Sequence, residues 1–110
     1  MSGAPYLGEL EQLVLLAILQ YGEDAYTIPI RDVLAHRSGR RISRGALYTS
    51  LDRLEGKGLV SSRLGEPLAV RGGRARRYFK VTASGLAGLR AARAAVRELS
   101  RGIESLLERR

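Results

Sequence analysis

The side chains with chemistry to offer in this sequence are cations and hydroxyls, not paired acids or thiols. Nineteen lysines and arginines stand against eleven acids in 110 residues, a net charge of +8, with one histidine and no cysteine. Arg71, Arg74, Arg76 and Arg77 flank the pair Gly72-Gly73. Glycine lets a backbone turn tightly and come close to a bulky partner, and guanidinium groups match phosphate oxygens. A second set lies in residues 42–58, where Ser43, Arg44, Tyr48, Thr49 and Arg53 crowd donors onto one short stretch. Both sets suit a polyanion that is held through phosphates and read through base edges. Catalysis finds no comparable support. His36 sits beside a polar turn, with no acidic cluster at metal-ligand spacing, and reads as a surface residue. The Gly72-Gly73 pair is not followed by a helix start at the spacing of a phosphate-binding fingerprint. Neither an enzyme nor a metal or other cofactor is expected.

The charge is unevenly placed. Residues 1–35 hold one base and five acids, net −4, whereas residues 36–57 hold six bases and two acids, net +4. Residues 58–80 follow with six bases and one acid, net +5, and residues 81–110 with six bases and three acids, net +3. The positive field therefore belongs to the middle of the chain, and an isoelectric point near 10.8 is that of a nucleic-acid binder. The lack of cysteine fits a reducing compartment, and the start of the sequence shows no secretory pattern. Its longest apolar run, residues 13–19, is far short of a bilayer span. A cytoplasmic protein with no membrane partner is expected.

Residues 42–58 need a helix to present their donors. Ser43 is a suitable N-cap, and Leu47, Leu51 and Leu54 recur at i, i+4 and i+7 to form one apolar stripe. Gly45, Thr49, Asp52, Arg53 and Gly56 then fall on the far side, with Arg44 and Tyr48 on its flank. Two helices should precede it. The first spans residues 8–21, is apolar nearly all round, and ends at Gly22 in a left-handed conformation. The second reaches Ala35 and begins close to Pro29, which costs little in a first turn. Residues 1–7 are expected to be loose. After Gly58 the pattern turns extended: residues 59–64 and 76–82 read as two strands of a hairpin, a wing beside a helix-turn-helix. A last helix, capped by Thr82 or Ser84, should run to Glu108. Leu89, Val96 and Ile103 occupy one of its heptad positions, and Ala92, Leu99 and Leu106 the other.

The expected fold class is mainly α with a small β-hairpin (α+β). It comprises a winged helix-turn-helix over residues 1–82 and a C-terminal dimerisation helix over residues 83–110, in one compact unit. The sequence resembles the PadR-like transcriptional regulators, specifically the short type with a single C-terminal helix. The likeness rests on Gly45-Ala46-Leu47-Tyr48, on Leu51-Asp52-Arg53-Leu54-Glu55 and on Lys57-Gly58-Leu59-Val60. It continues through Gly72-Gly73-Arg74-Ala75-Arg76-Arg77-Tyr78-Phe79 and Val81-Thr82 with Gly85. Thr27 and Pro29 depart from the usually acidic second helix, and no tryptophan is present to stack a planar drug. The resemblance implies a homodimer that represses transcription from a palindromic operator, with Tyr48 hydrogen-bonding the DNA backbone.

Double-stranded DNA is thus the expected partner. Ser43, Arg44, Gly45, Tyr48, Thr49, Arg53, Arg71, Arg74 and Arg76 are the candidate contacts, and Leu89, Val96, Leu99, Ile103 and Leu106 the dimerisation seam. Asp52 would repel phosphate and is expected to pair with Arg53 or another arginine. Two alternatives stay open: a basic winged helix that binds RNA or plays a structural role, and a regulator holding an unidentified aromatic or drug-like effector between subunits.

Overall fold

The computed structural model describes residues 6–66 and 75–108 of the chain. Helix α1 (Glu9–Tyr21) buries Val14, Leu15, Ala17 and Ile18 in the core, and its other apolar face, with Leu13 and Leu16, is only partly covered. On that face Leu13, Leu16, Ala17 and Gln20 line, with Val33, Leu34, Arg37 and Ser38, a groove of about 310 Å³. The segment before α1 is not loose throughout, because Leu7 is buried and its carbonyl accepts from the Gln12 side chain at 3.2 Å. Gly22 takes a positive φ of 54°, but its ψ of −120° lies outside the left-handed helical region. The chain instead tightens into a 3₁₀ turn, Gly22–Asp24.

Helix α2 (Thr27–Val33) opens with the Ile30 N–H on the Tyr26 carbonyl, so Pro29 lies in the first turn, where it forfeits no bond. The α-helix stops at Val33 rather than Ala35. A π-helical turn, Leu34–Ser38, follows, in which the Leu34 carbonyl accepts both the Arg40 N–H and the Ser38 hydroxyl. Gly39, at φ 75°, then reverses the chain.

Helix α3 (Arg44–Gly56) starts as its sequence dictates: the Ser43 hydroxyl accepts the Ala46 N–H at 3.0 Å. It ends in a Schellman motif about Gly58, at φ 77°. The Leu59 N–H reaches the Leu54 carbonyl, and the Gly58 N–H reaches that of Glu55. Leu54 and Leu59 are both core residues, so the motif also carries its usual apolar pair.

Strand β1 (Val60–Leu64) pairs antiparallel with β2 (Arg77–Val81), with Ser62 opposite Phe79 and Arg63 opposite Tyr78. The Phe79 side chain enters the core, and its N–H points away from β1 to the Ala25 carbonyl at 2.8 Å. That bond fastens the wing to the segment leading into α2. The expected wing arginines Arg71 and Arg74 lie outside the described residues.

Helix α4 (Ala83–Ser100) is capped by Thr82, whose hydroxyl accepts from the Gly85 N–H and donates to the Gly58 carbonyl. Gly85, Gly88 and Leu89 are buried, Leu86 packs against the core, and the later turns are mostly exposed. The helix does not continue to Glu108. Gly102, at φ 90°, breaks it and donates its N–H to the Glu104 carboxylate, and a short α5 (Glu104–Leu107) follows. Just before the break, the Ser100 hydroxyl bonds the Val96 carbonyl, a competition with the helical ladder that favours bending.

A side chain at Gly85 has no room. Its Cβ would stand 2.2 Å from the Leu59 carbonyl oxygen and 2.7 Å from Val81. Gly85→Ala is therefore expected to lower unfolding stability by about 2 kcal/mol or more, measured by urea denaturation, although alanine is the better helix former.

Candidate nucleic-acid interface

Helix α3 buries Leu47, Ser50, Leu51 and Leu54 and turns Arg44, Gly45, Thr49, Asp52 and Arg53 outward. Ser43 is also exposed, and its hydroxyl, having accepted the cap bond, keeps a proton to donate. A Cβ at Gly45 would meet nothing within 4 Å. The glycine therefore answers no need of the surrounding chain, and it leaves the first turn bare for a partner's approach. Tyr48 is half-buried and packs against the core, with its phenol oxygen 3.0 Å from the Thr27 hydroxyl of α2. The lead-in to α3 is braced separately by Arg31, whose Nε donates to the Ile42 carbonyl at 3.2 Å.

One guanidinium joins α3 to the wing. Arg77 of β2 donates to Glu55 at 2.5 Å, to Asp52 at 3.3 Å and to the Ser62 hydroxyl at 3.2 Å, and its plane lies over the Phe79 ring. Asp52 is thus paired with Arg77 rather than with its neighbour Arg53. The Glu55 carboxylate also accepts from Ser62 at 2.9 and 3.1 Å. That hydroxyl, followed by the Arg77 guanidinium, outweighs the cost of burial and holds the Glu55 carboxyl below its ordinary 4.5. On the opposite face of the hairpin, Arg63 stacks on Tyr78, Tyr78 meets Tyr26 edge-on, and Arg76 covers Tyr26 at 4.3 Å. Arg76, an expected DNA contact, is therefore exposed but held against Tyr26 at the loop end of the hairpin.

Other ion pairs sort the remaining cations. Glu9 takes Arg40, Glu11 takes Lys57 at 2.7 Å, and Glu23 lies 3.9 Å from Arg63. For Glu11, burial pulls the carboxyl upward, but Lys57 and the Gly8 N–H together bring it below 4.5. Arg41, Arg44 and Arg53 are exposed and have no carboxylate partner among the described residues. The acids of α1 and the turn after it thus neutralise cations elsewhere, leaving the positive charge along α3 unspent.

The expected seam on the last helix divides. Leu89 is only 4% exposed and belongs to the core of its own chain. Val96, Leu99, Ile103 and Leu106 are exposed, at 61%, 83%, 44% and 68%. Val96 and Leu99 lie on α4, whereas Ile103 and Leu106 come after the break at Gly102 and do not extend a straight heptad seam. No group of three potential metal ligands occurs among the described residues, and no helix there is long and apolar enough to cross a membrane.

Three residues that shape this face are not among the expected contacts: Thr27, Arg31 and Glu55. Their partners lie 21, 11 and 22 residues away, and no local pattern marks such pairs.

A helix pair whose second member is capped, exposed and flanked by a two-stranded hairpin is a winged helix-turn-helix. The profile of the "Transcriptional regulator PadR-like family" matches residues 15–91, and the chain belongs to that family. The chain is 43% identical over 67 residues to "Transcriptional regulator Rv3488" of Mycobacterium tuberculosis; the match covers 61% of this chain and 59% of that relative's length. A PadR family regulator structure from Eggerthella lenta superposes with a TM-score of 0.66 at 34% identity, covering 93% of this chain and 88% of that one. One from Clostridium difficile gives 0.73 at 24% identity, covering 91% and 99%, and bears on the fold alone.

The depressed Glu55 carboxyl has a pH consequence. Its charged form is favoured in the folded state, so its contribution is complete above the unfolded value near 4.5 and disappears as pH falls through the lower folded value. Glu55→Gln is expected to cost about 1 kcal/mol at pH 7. It should also make the loss of thermal stability on acidification below about pH 4.5 shallower than in the wild type, as followed by circular dichroism.

Proposed function

We propose that the protein is a sequence-specific regulator that binds double-stranded DNA as a homodimer and represses transcription by occupying a palindromic operator in the cytoplasm. The observation that carries this reading is the outward face of α3, bare at Gly45 and lined by Arg44, Thr49 and Arg53 with no carboxylate to spare for them. The helix N-terminus and Ser43 would meet a phosphate, Thr49 would approach a thymine methyl, and the arginines would bind phosphate or guanine. Arg76, together with Arg71 and Arg74, would hold the backbone or enter the minor groove beside it.

Two features support the dimer. The apolar side chains Val96, Leu99, Leu106 and Leu107 stand exposed, and α1 offers an open apolar groove. A two-fold pair would set its recognition helices in successive major grooves about 34–36 Å apart. Steric occlusion of the promoter then accounts for repression without further chemistry.

Selection of bound duplexes from a random pool, at low and at moderate salt, tests the reading. Enrichment of one inverted repeat is expected at both, with fewer non-specific survivors at the higher salt. Equal recovery of unrelated sequences, or preference for RNA, would refute it and favour the structural or RNA-binding alternative. Gly45→Ala separates folding from binding. It should stabilise the free protein by about 0.5–1 kcal/mol, because alanine is the better helix former. It should also weaken binding to the selected duplex roughly fivefold, close to 1 kcal/mol. Stabilisation without loss of affinity would remove Gly45 from the interface.

A further inference from the structure

The hydroxyl of Thr27 is nearly out of solvent, at 7% exposure, and the bond it makes is to the Tyr48 phenol 21 residues further on. A phenol oxygen has one proton to give and lone pairs to receive. The geometry points to Thr27 as a positioning residue for DNA binding: its hydroxyl donates to the Tyr48 oxygen and so leaves the phenol proton free for a backbone phosphate. This inference rests on the reading of Tyr48 as a DNA-backbone contact, and it assigns a second residue, on a different helix, to that contact.

Three physical effects follow from the bond. The accepted hydrogen occupies one side of the phenol oxygen, so the phenol's own O–H turns to the other side, away from α2. Accepting a hydrogen bond also polarises the O–H and makes it a stronger donor to an anion. Finally, the ring is fixed before DNA arrives, so less side-chain freedom is lost on binding. The position of α3 itself does not depend on this bond. Leu47, Leu51 and Leu54 are fully buried, and Arg31 independently holds the Ile42 carbonyl. Removing the Thr27 hydroxyl should therefore loosen one side chain and leave the helix in place.

The test is a double-mutant cycle on a mixed-sequence duplex of about 30 base pairs, with binding read by fluorescence anisotropy at one fixed low salt concentration. A phosphate contact does not require the operator, so this probe suffices. Thermal melting of each free variant runs alongside. Tyr48→Phe should bind about tenfold more weakly, and Thr27→Val about three- to fivefold more weakly. Thr27→Ser, which keeps the hydroxyl, should bind within about twofold of the wild type. The double variant Thr27→Val/Tyr48→Phe should be no weaker than Tyr48→Phe alone, because both changes remove one contact.

If Tyr48→Phe is weakened and Thr27→Val is not, the positioning role is wrong and the Tyr48 contact stands. If Tyr48→Phe binds like the wild type, the backbone contact itself fails and this inference falls with it. Loss of affinity from Thr27→Val that persists in the Tyr48→Phe background would assign Thr27 a merely structural role and overturn the proposal. Should Thr27→Val melt below the assay temperature, Thr27→Ala is read against the same outcomes.

Discussion

The guanidinium of Arg77 fixes the relation between the two parts of this molecule that face outward together. It reaches from β2 to Glu55 and Asp52 on α3, bonds Ser62 on β1, and lies over Phe79. Beneath it, Phe79 is buried and its backbone bonds Ala25, which leads into α2. Helix, wing and the approach to the preceding helix thus meet at Arg77 and the Phe79 beneath it. Each ion pair, partly exposed to water, is worth little by itself. Shared among three partners on two elements, the same charges set a geometry, because no single partner can shift without breaking bonds to the others.

That cluster also explains how a strongly basic chain carries acids on its outward helix. Asp52 would oppose phosphate, but Arg77 compensates it locally. Glu9, Glu11 and Glu23 do the same for Arg40, Lys57 and Arg63 away from the face. Arg41, Arg44 and Arg53 are thereby left without a carboxylate partner beside α3, as Arg37, Lys80, Arg90, Arg93 and Arg97 are elsewhere among the described residues.

Much of this architecture could be read from local signals. The Ser43 cap, the Leu47-Leu51-Leu54 stripe, the Gly58 turn and the alternation in β2 each depend on residues within a turn or two of one another. The last helix misled because its heptad spacing continues past Gly102, whereas the break is decided by backbone competition at Ser100 and a positive φ. Leu89 fitted the seam equally well, yet the chain folds it into its own core. Leu7 is buried in a segment expected to be loose, because burial of an isolated leucine has no periodicity to reveal it. At the candidate interface, residue types were visible but partnerships were not. Thr27 with Tyr48, and Asp52 with Arg77, are joined only when α2, α3 and β2 assemble.

Helix α4 is anchored at one end. Its buried residues, Gly85, Gly88 and Leu89, lie in the first two turns, and the later turns reach into open space. An 18-residue helix is about 27 Å long, so a tilt of about 10° at its root carries its far end roughly 5 Å. In a pair of subunits joined near those far ends, the same tilt would move two reading heads relative to the repeat of a duplex. The spacing such a pair tolerates would then be governed less by the helices in the grooves than by how tightly Gly85 sits on the Leu59 carbonyl, the fulcrum of a cantilever.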